Sequence, residues 1–530
     1  MKKGLLFLLA VCLLSLSIVP LATASVGDDI YAPIDGKEYS FVLAPYQRGP
    51  VDEDAKLVTH FEEKYGVGIE ILSLDQGSYY ELLSIRFASR EIPDVFRAEQ
   101  NLKLWAEQGV LMEIDEKALE AHSPNTYQYS LDAAPNVFRL GRVNGKLYGL
   151  CEIPRGDIRY ASSVMRGDWL ENLNLEMPVT FEEYENVFYQ FTNNDPDGNG
   201  VKDTYGLSTS GFGYVFGSYG IPSYMDKMWM DTGDGLVYSP IMPESRQVVE
   251  ILAKWYQDGI IDPEFITTEN NGGYWALSHA FINGRIGYTG HGGYGHWAPA
   301  LKEGAAPGAA YLEVYNLNPT AAEKLVYPHP MTGENGLCGN FGGGQSNPVL
   351  GNVIHVFGSP LAEEPDRFGK WLEIMDDYVY GSEENFIASI NGIQGEDWEF
   401  GADGLMTPIG KNAEDANYIN TIGGFRNFAF YGPENFPNAQ HANFLLEAYL
   451  DNNFYKEGVL HQGRLPSVKT DSEIRLGVEL DKIVDEAYID MITGAQPIDY
   501  FDEFVTRWEQ TGGTQVTEEL NAWYSDFWQK

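Results

Sequence analysis

Asp195, Asp197, Asn199 and Asp203 lie in the stretch FTNNDPDGNGVKDTYGLS, Phe191 to Ser208, with glycines between them. So many oxygens in one turn admit two readings. Asn, Asp, Gly and Pro are the commonest turn residues, so a solvated loop accounts for them. Three carboxylates this close also repel one another unless a cation neutralises them, and donors that are all oxygen select a hard cation. With Asp195 at position one, Asp197 stands at three, Asn199 at five, Gly200 at six, the Val201 carbonyl at seven and Asp203 at nine. That is the first part of an EF-hand loop, in which alternate oxygens converge on Ca²⁺ and the glycine permits the sharp bend. Position twelve is Gly206 in place of the bidentate Glu, and a short strand, TYGLS, is expected to follow in place of a helix. The expected chemistry is Ca²⁺ held by Asp195, Asp197, Asn199, Val201 and Asp203 outside an EF-hand fold. Mg²⁺ fits less well, because it takes fewer protein ligands in stricter octahedral geometry. No catalytic residue is expected in this loop, its acids being committed to the ion.

Aromatic residues give a second signal. Trp229, Tyr274, Trp275, Tyr294, Trp297 and Trp398 stand in or near glycine-rich stretches, beside His291, His296 and Asn340. Sugar rings stack their C–H faces on aromatic planes while Asp, Glu, Arg, Asn and His read the hydroxyls, so the group fits a carbohydrate cleft. Each aromatic taken alone reads first as core; it is as a group that they point to a cleft. Arg155 and Arg159, in RGDIRY, either contact a ligand near a hinge or pair with surface acids. Tyr46 and Glu99 complete the candidate ligand contacts with Arg155, Arg159, Trp229, His291, Tyr294 and Trp297; Tyr46 ends the β-rich run EYSFVLAPY, and Glu99 follows IPDVFRA.

The elements that must position these residues alternate. EYSFVLAPY and VGIEIL read as strands, VDEDAKLVTHFEEKYG as a helix with Val58, Phe61 and Tyr65 on one face and Gly66 as its stop, SYYELLSIRFAS as a second helix, and IPDVFRA as a third strand. This β-α-β-α-β order predicts a parallel sheet with ligands near the carboxyl ends of its strands. Asn144-Gly145 marks a tight hairpin. Thr180 and Glu183 form a capping box for a helix whose face carries Phe181, Tyr184, Val187, Phe188 and Phe191. Later segments repeat the alternation: a helix closed by Gly259, a strand at GNVIHVFGS, a helix ending at Gly381, and helices in the C-terminal third. No short repeat or low-complexity tract interrupts them.

The chain has 530 residues, enough for two or more lobes with separate cores. It contains 44% hydrophobic and 13% aromatic residues, which argues against disorder. A net charge of −42 disfavours nucleic acid and anionic membranes as partners. Residues 1–24 have the form of an export signal: a basic MKK, an apolar run, and ATA before the cleavage point. A lipid anchor at Cys12 is disfavoured because Val11 stands where a small residue is expected. The mature chain is expected to be periplasmic or extracellular. Cys151 and Cys338 then remain, either paired in an oxidising compartment or as buried thiols. There is no C-x-x-C and no H-E-x-x-H.

NNDPDGNGVKDTYGL resembles the calcium loop of the family 1 extracellular solute-binding proteins, the large sugar receptors of ABC importers that include the alginate-binding receptors. NGKLYGL, MRGDWLENLNLEMPVTFEEYENVF, AFINGRIGY, NGIQGEDWEF and AYIDMITGAQPID resemble further segments of that family in the same order. The resemblance implies an α/β, two-lobed periplasmic-binding-protein fold with hinge strands and a helical C-terminal region. Its lobes would comprise residues 25–153 with 345–400, and 154–344 with 401–530. It also implies an oligosaccharide ligand, a membrane permease as partner, a monomer, and no catalysis, with Asp195, Asp197, Asn199, Val201 and Asp203 as calcium ligands. Thr204 departs from the alginate receptors, which have an acidic residue there. The competing functions are an exported carbohydrate-active hydrolase stabilised by calcium and a structural surface protein.

Overall fold

A computed structural model of the chain describes residues 38–46, 50–133, 137–151, 163–267, 277–299, 307–339, 354–382, 387–388, 391–401, 406–415, 418–424, 463–464 and 469–529. The export signal with Cys12, Arg155, Arg159, Tyr274, Trp275, Asn340 and the expected crossings near 153 and 345 lie outside them.

The parallel sheet expected from the first strands is present. Tyr39–Leu43 is flanked in parallel by Val67–Ile71 and Val95–Arg97. Ile354–Phe357, from far along the chain, is inserted antiparallel between Val95–Arg97 and Gly149–Cys151. A Cβ at Gly149 would lie 2.3 Å from Ile354 Cγ2, so only glycine lets these two strands meet. The helix Lys56–Tyr65 stops at Gly66 in a left-handed conformation (φ 67°), and Tyr79–Ala88 follows. The helix Pro365–Asp376 covers the sheet, with Trp371 5.0 Å from Phe41 between ring centroids. Together these elements bury a first core that includes Phe41, Phe61, Phe96, Trp105 and Trp371.

A second core gathers around Phe181–Asn193, Pro243–Gln257 and the long helix Asp471–Thr493. Both capping-box bonds expected at Thr180 and Glu183 are formed, and Tyr184, Val187, Phe188 and Phe191 are buried. Such a cap stabilises a helix by about 1 kcal/mol. Its three-stranded sheet pairs Val164–Arg166 with Tyr288–Thr289 and Leu325–Val326, both antiparallel. A smaller cluster around Phe281, Trp297 and Val314 adjoins it. The molecule is two-lobed. Trp523, in the last helix, packs against both large cores, and Lys103 of the first lobe pairs with Asp471 of the second.

Some expectations change. TYGLS forms no strand: Tyr205 and Leu207 make single bridges to Ile286 and Ile261. Residues 401 onward were expected in the second lobe, yet Thr421 and Ile422 accept backbone hydrogen bonds from Asp52 (2.8 Å) and Leu57 (2.9 Å) of the first. Cys151 and Cys338 are both buried and form no disulfide with one another. Among the described residues no helix is long and apolar enough to cross a membrane.

Candidate ligand site and cation loop

The parallel strands bring Tyr46 and Glu99 to one edge of the first lobe, and two residues that sequence reasoning missed, Tyr80 and Arg97, join them. The Arg97 guanidinium lies 4.6 Å from the centroid of the Tyr46 ring, and its Nε donates to Glu99 Oε1 at 2.5 Å. The Tyr80 hydroxyl donates to the other oxygen of Glu99. Tyr80 stacks on Tyr46 at 6.0 Å, and Tyr79 meets Tyr46 edge-on at 5.1 Å. Tyr79 fixes the corner, donating to the Ala44 carbonyl at 2.6 Å and accepting from the Arg97 backbone N–H at 3.1 Å. Glu99 sits at φ 39°, a strained conformation for a residue with a Cβ and one that concentrates at ligand sites. Burial raises its carboxyl above the usual range, while Arg97 and Tyr80 act in the opposite direction. All four of Tyr46, Tyr80, Arg97 and Glu99 are half-buried.

This edge is also where the chain leaves and re-enters the lobe. Cys151 pairs with Ile354, and His355 stands opposite Arg97, so the end of one strand and the start of the other adjoin the cluster. The next described residues in each direction, Ser163 and Gly339, belong to the second lobe's part of the chain. His355 is buried, and burial followed by the Arg97 charge pushes its imidazole down to about 3.

The tryptophans expected to face a ligand take the core reading instead. Trp297 is 0% exposed, donates from Nε1 to the His291 carbonyl at 2.6 Å, and meets Phe281 edge-on. Trp229 is 4% exposed against Tyr238, and Trp398 is also buried, donating to the Gly392 carbonyl at 3.0 Å. None offers a stacking face: Trp229 and Trp398 open short strands and Trp297 ends a short helix, each with its ring buried. His291 is half-buried, and His296 Nδ1 accepts from the Gly293 N–H at 2.9 Å. Tyr294 opens the short helix Tyr294–Trp297.

The acidic loop leaves the helix Phe181–Asn193, as its sequence requires. Its carboxylates converge on Asn199. Asp195 and Asp197 accept from the Asn199 backbone N–H at 3.1 and 3.3 Å, and the Asn199 amide donates to Asp197 at 2.9 Å and to Asp203 at 3.2 Å. Gly200 donates to Asp195 at 3.0 Å, with Gly198 and Gly200 left-handed as the bend demands. Burial and the neighbouring acids raise the Asp197 carboxyl above its usual range. Among the described residues no group of three or more His, Cys, Asp or Glu side chains is arranged to hold a metal ion as it stands. The donor chemistry nonetheless fits a hard cation: three carboxylates and an amide, drawn together around the Asn199 amide and the N–H groups of Asn199 and Gly200.

Two departures from an EF-hand have steric causes. A Cβ on Gly206 would lie 2.6 Å from Phe188 Cβ and 3.0 Å from its Cα, so no Glu fits at position twelve. Thr204 is buried and turns its hydroxyl to the Phe191 carbonyl, 2.9 Å away. An acid there would be buried against a carbonyl.

No family model matches the chain. Lipoprotein LipO of Bacillus subtilis is 23% identical over 487 residues, 87% of each chain. The polygalacturonan/rhamnogalacturonan-binding protein YtcQ of the same organism is 26% identical over 392 residues, 71% of this chain and 70% of its own. The alginate-binding protein AlgQ2, solved without calcium ion, matches with a TM-score of 0.66 at 17% identity over 92% of this chain and 98% of that one. The ABC-transporter substrate-binding protein FusA of Streptococcus pneumoniae in complex with kestose matches at 0.68, with 16% identity over 92% and 99%, and its EF-hand mutant in complex with fructo-nystose at 0.66. The chain is thus similar in sequence to LipO along 87% of its length and shares the two-lobed fold of these solved binding proteins.

Proposed function

We propose that the chain is the extracytoplasmic substrate-binding protein of an ABC importer, closing its lobes on an oligosaccharide and delivering it to a membrane permease. The observation that carries this reading is the cluster of Tyr46, Tyr80, Arg97 and Glu99 at the edge where the chain passes between lobes. Tyrosine rings and a planar guanidinium–carboxylate pair supply the flat surfaces and paired donors and acceptors that a polyhydroxylated ring requires. The functions named for YtcQ and FusA support the ligand class. We divide the described chain into a first lobe of 38–151 and 354–424 and a second of 163–339 and 469–529. Arg155 and Arg159 would fall in the connection between them.

In this reading the protein binds as a monomer without turning its ligand over, after export directed by residues 1–24. The name of LipO keeps acylation of Cys12 as an alternative means of attachment. Ca²⁺ would be held by Asp195, Asp197, Asn199, the Val201 carbonyl and Asp203, where its charge neutralises the converging acids. The donor set supports this, as do the forms in which AlgQ2 and FusA have been studied.

The reading is tested by calorimetric titration of the mature chain against an oligosaccharide panel, with chromatography of the recovered ligand. One-to-one binding with the sugar recovered intact is expected. Catalytic release of shorter products would overturn it.

A further inference from the structure

We propose that the cleft selects uncharged oligosaccharides and rejects uronates and other acidic sugars, and that the Arg97–Glu99 pair sets this choice; the proposal rests on the receptor reading above. A site built for acidic sugars needs a cation whose charge remains available to the ligand, most effectively an arginine engaging its carboxylate through two parallel N–H bonds. Arg97 is the cation that the strand Val95–Arg97 carries to this edge, and its charge is already matched. Its Nε and its terminal NH2 both lie 2.5 Å from Glu99 Oε1, while the guanidinium rests over Tyr46.

Glu99 is not free to give way. The Tyr80 hydroxyl donates to its second oxygen, the Ile354 backbone N–H adds another bond, and its own backbone is held left-handed. Both side chains of the pair are 14% exposed, so an approaching carboxylate would meet Glu99 where water screens little. A uronate would have to displace a well-bonded carboxylate of its own charge, and such a repulsive element confers specificity. His355, neutral and buried beside Arg97, contributes no compensating charge. The −42 of the whole chain opposes acidic ligands at longer range. A neutral sugar meets none of this. Its hydroxyls both donate and accept, and a paired guanidinium and carboxylate offer both functions in one plane.

The test is calorimetric titration of the full mature chain with kestose, nystose, xylotriose and galactotriose, and in parallel with trigalacturonate and trimannuronate, at low salt. Binding of at least one neutral trimer or tetramer, with no heat from either uronate, is expected. Uronate binding by the native chain, through Arg155, Arg159 or any other cation, overturns the proposal while leaving the receptor reading intact. Silence with every sugar removes the receptor reading, and the proposal with it. Glu99→Gln, whose fold is checked by its melting curve, should gain affinity for trigalacturonate by about tenfold or more, as expected when a like charge is removed. A folded Glu99→Gln with native selectivity overturns the role given to the pair. Should that variant not fold, Tyr80→Phe, which removes one bond holding Glu99, is read for a shift in the same direction.

Discussion

Arg367 grips Asp94 through two nitrogens, at 2.9 and 3.1 Å, with both side chains buried. The same guanidinium donates to the Ser40 carbonyl at 2.8 Å, and Asp94 accepts from the Val42 N–H at 2.8 Å. The pair therefore ties the covering helix Pro365–Asp376, which comes late in the chain, to the first strand, Tyr39–Leu43, and to the start of the third, Val95–Arg97. Removing one partner leaves the other charge buried and uncompensated, which costs about 3–5 kcal/mol. Arg367→Leu should accordingly lower the unfolding free energy read from urea titration by that much. Arg367→Leu with Asp94→Leu should recover much of the loss, because apolar replacement of a whole buried pair is often close to neutral. A single variant as stable as the parent would show that the pair bears little of the helix's attachment.

His355 gives the first lobe a component of acid sensitivity. Its imidazole titrates near 3 in the folded chain, held down by burial and by Arg97, against about 6.5 when unfolded. Between these values the unfolded chain binds the extra proton, so this residue's contribution to stability falls as pH drops below 6.5, by about 1.4 kcal/mol per pH unit. Burial pushes the carboxyls of Asp94 and Glu99 upward, which acts with the opposite sign in part of the same window. The difference between parent and variant isolates the histidine. Going from pH 7.5 to 5.0, His355→Gln should lose about 2 kcal/mol less than the parent in urea unfolding. Parallel losses in the two proteins would mean that the folded imidazole accepts its proton normally.

The elements legible in the sequence were those specified by neighbours along the chain. The helix Phe181–Asn193 has its capping box, its apolar face and its outgoing loop within one short stretch. Asn144 and Gly145, at φ 50° and 80°, make the hairpin turn their dipeptide calls for. The candidate ligand edge was half legible, because Tyr46 and Glu99 follow strands of a parallel sheet. Arg97 and Tyr80 were hidden inside a strand and a helix pattern, and only the order of the sheet brings them together. Ile354–Phe357 enters that sheet from more than 250 residues after Val95–Arg97, a pairing no local pattern encodes. Trp229 and Trp297 misled for a related reason: the glycine-rich sequence around them indicated loops, but Trp229 joins a strand and Trp297 a short helix, and both rings are buried.

Gly206 tests why the loop lacks its twelfth-position acid. Because a Cβ there would press on Phe188 at its Cβ and on its backbone, Gly206→Ala should destabilise the second lobe by about 1–3 kcal/mol, the usual cost of overpacking. Gly206→Glu should be at least as damaging and should not improve the response to Ca²⁺, since the added carboxylate has no route past the Phe188 ring. Thermal melts with and without Ca²⁺ measure both effects. An alanine variant of parental stability would mean that the helix Phe181–Asn193 yields at this point.

Metal removal should act on the same lobe. If Ca²⁺ replaces the Asn199 amide at the focus of Asp195, Asp197 and Asp203, the folded chain binds it and the unfolded chain, whose acids are dispersed, does not. Stability then rises by about 2.7 kcal/mol at a hundredfold excess of free ion over Kd, enough to move a melting midpoint by several degrees. The parent should melt lower in chelator than in Ca²⁺, with Mg²⁺ restoring less, because the loop offers many flexible oxygen donors in place of a strict octahedron. Asp197→Ala removes one donor and relieves some of the repulsion, so its melt should be insensitive to chelator and should lie near that of the stripped parent. Equal midpoints for the parent with and without chelator would leave the turn reading of this sequence standing, with Asn199 and the Gly200 N–H holding the acids together.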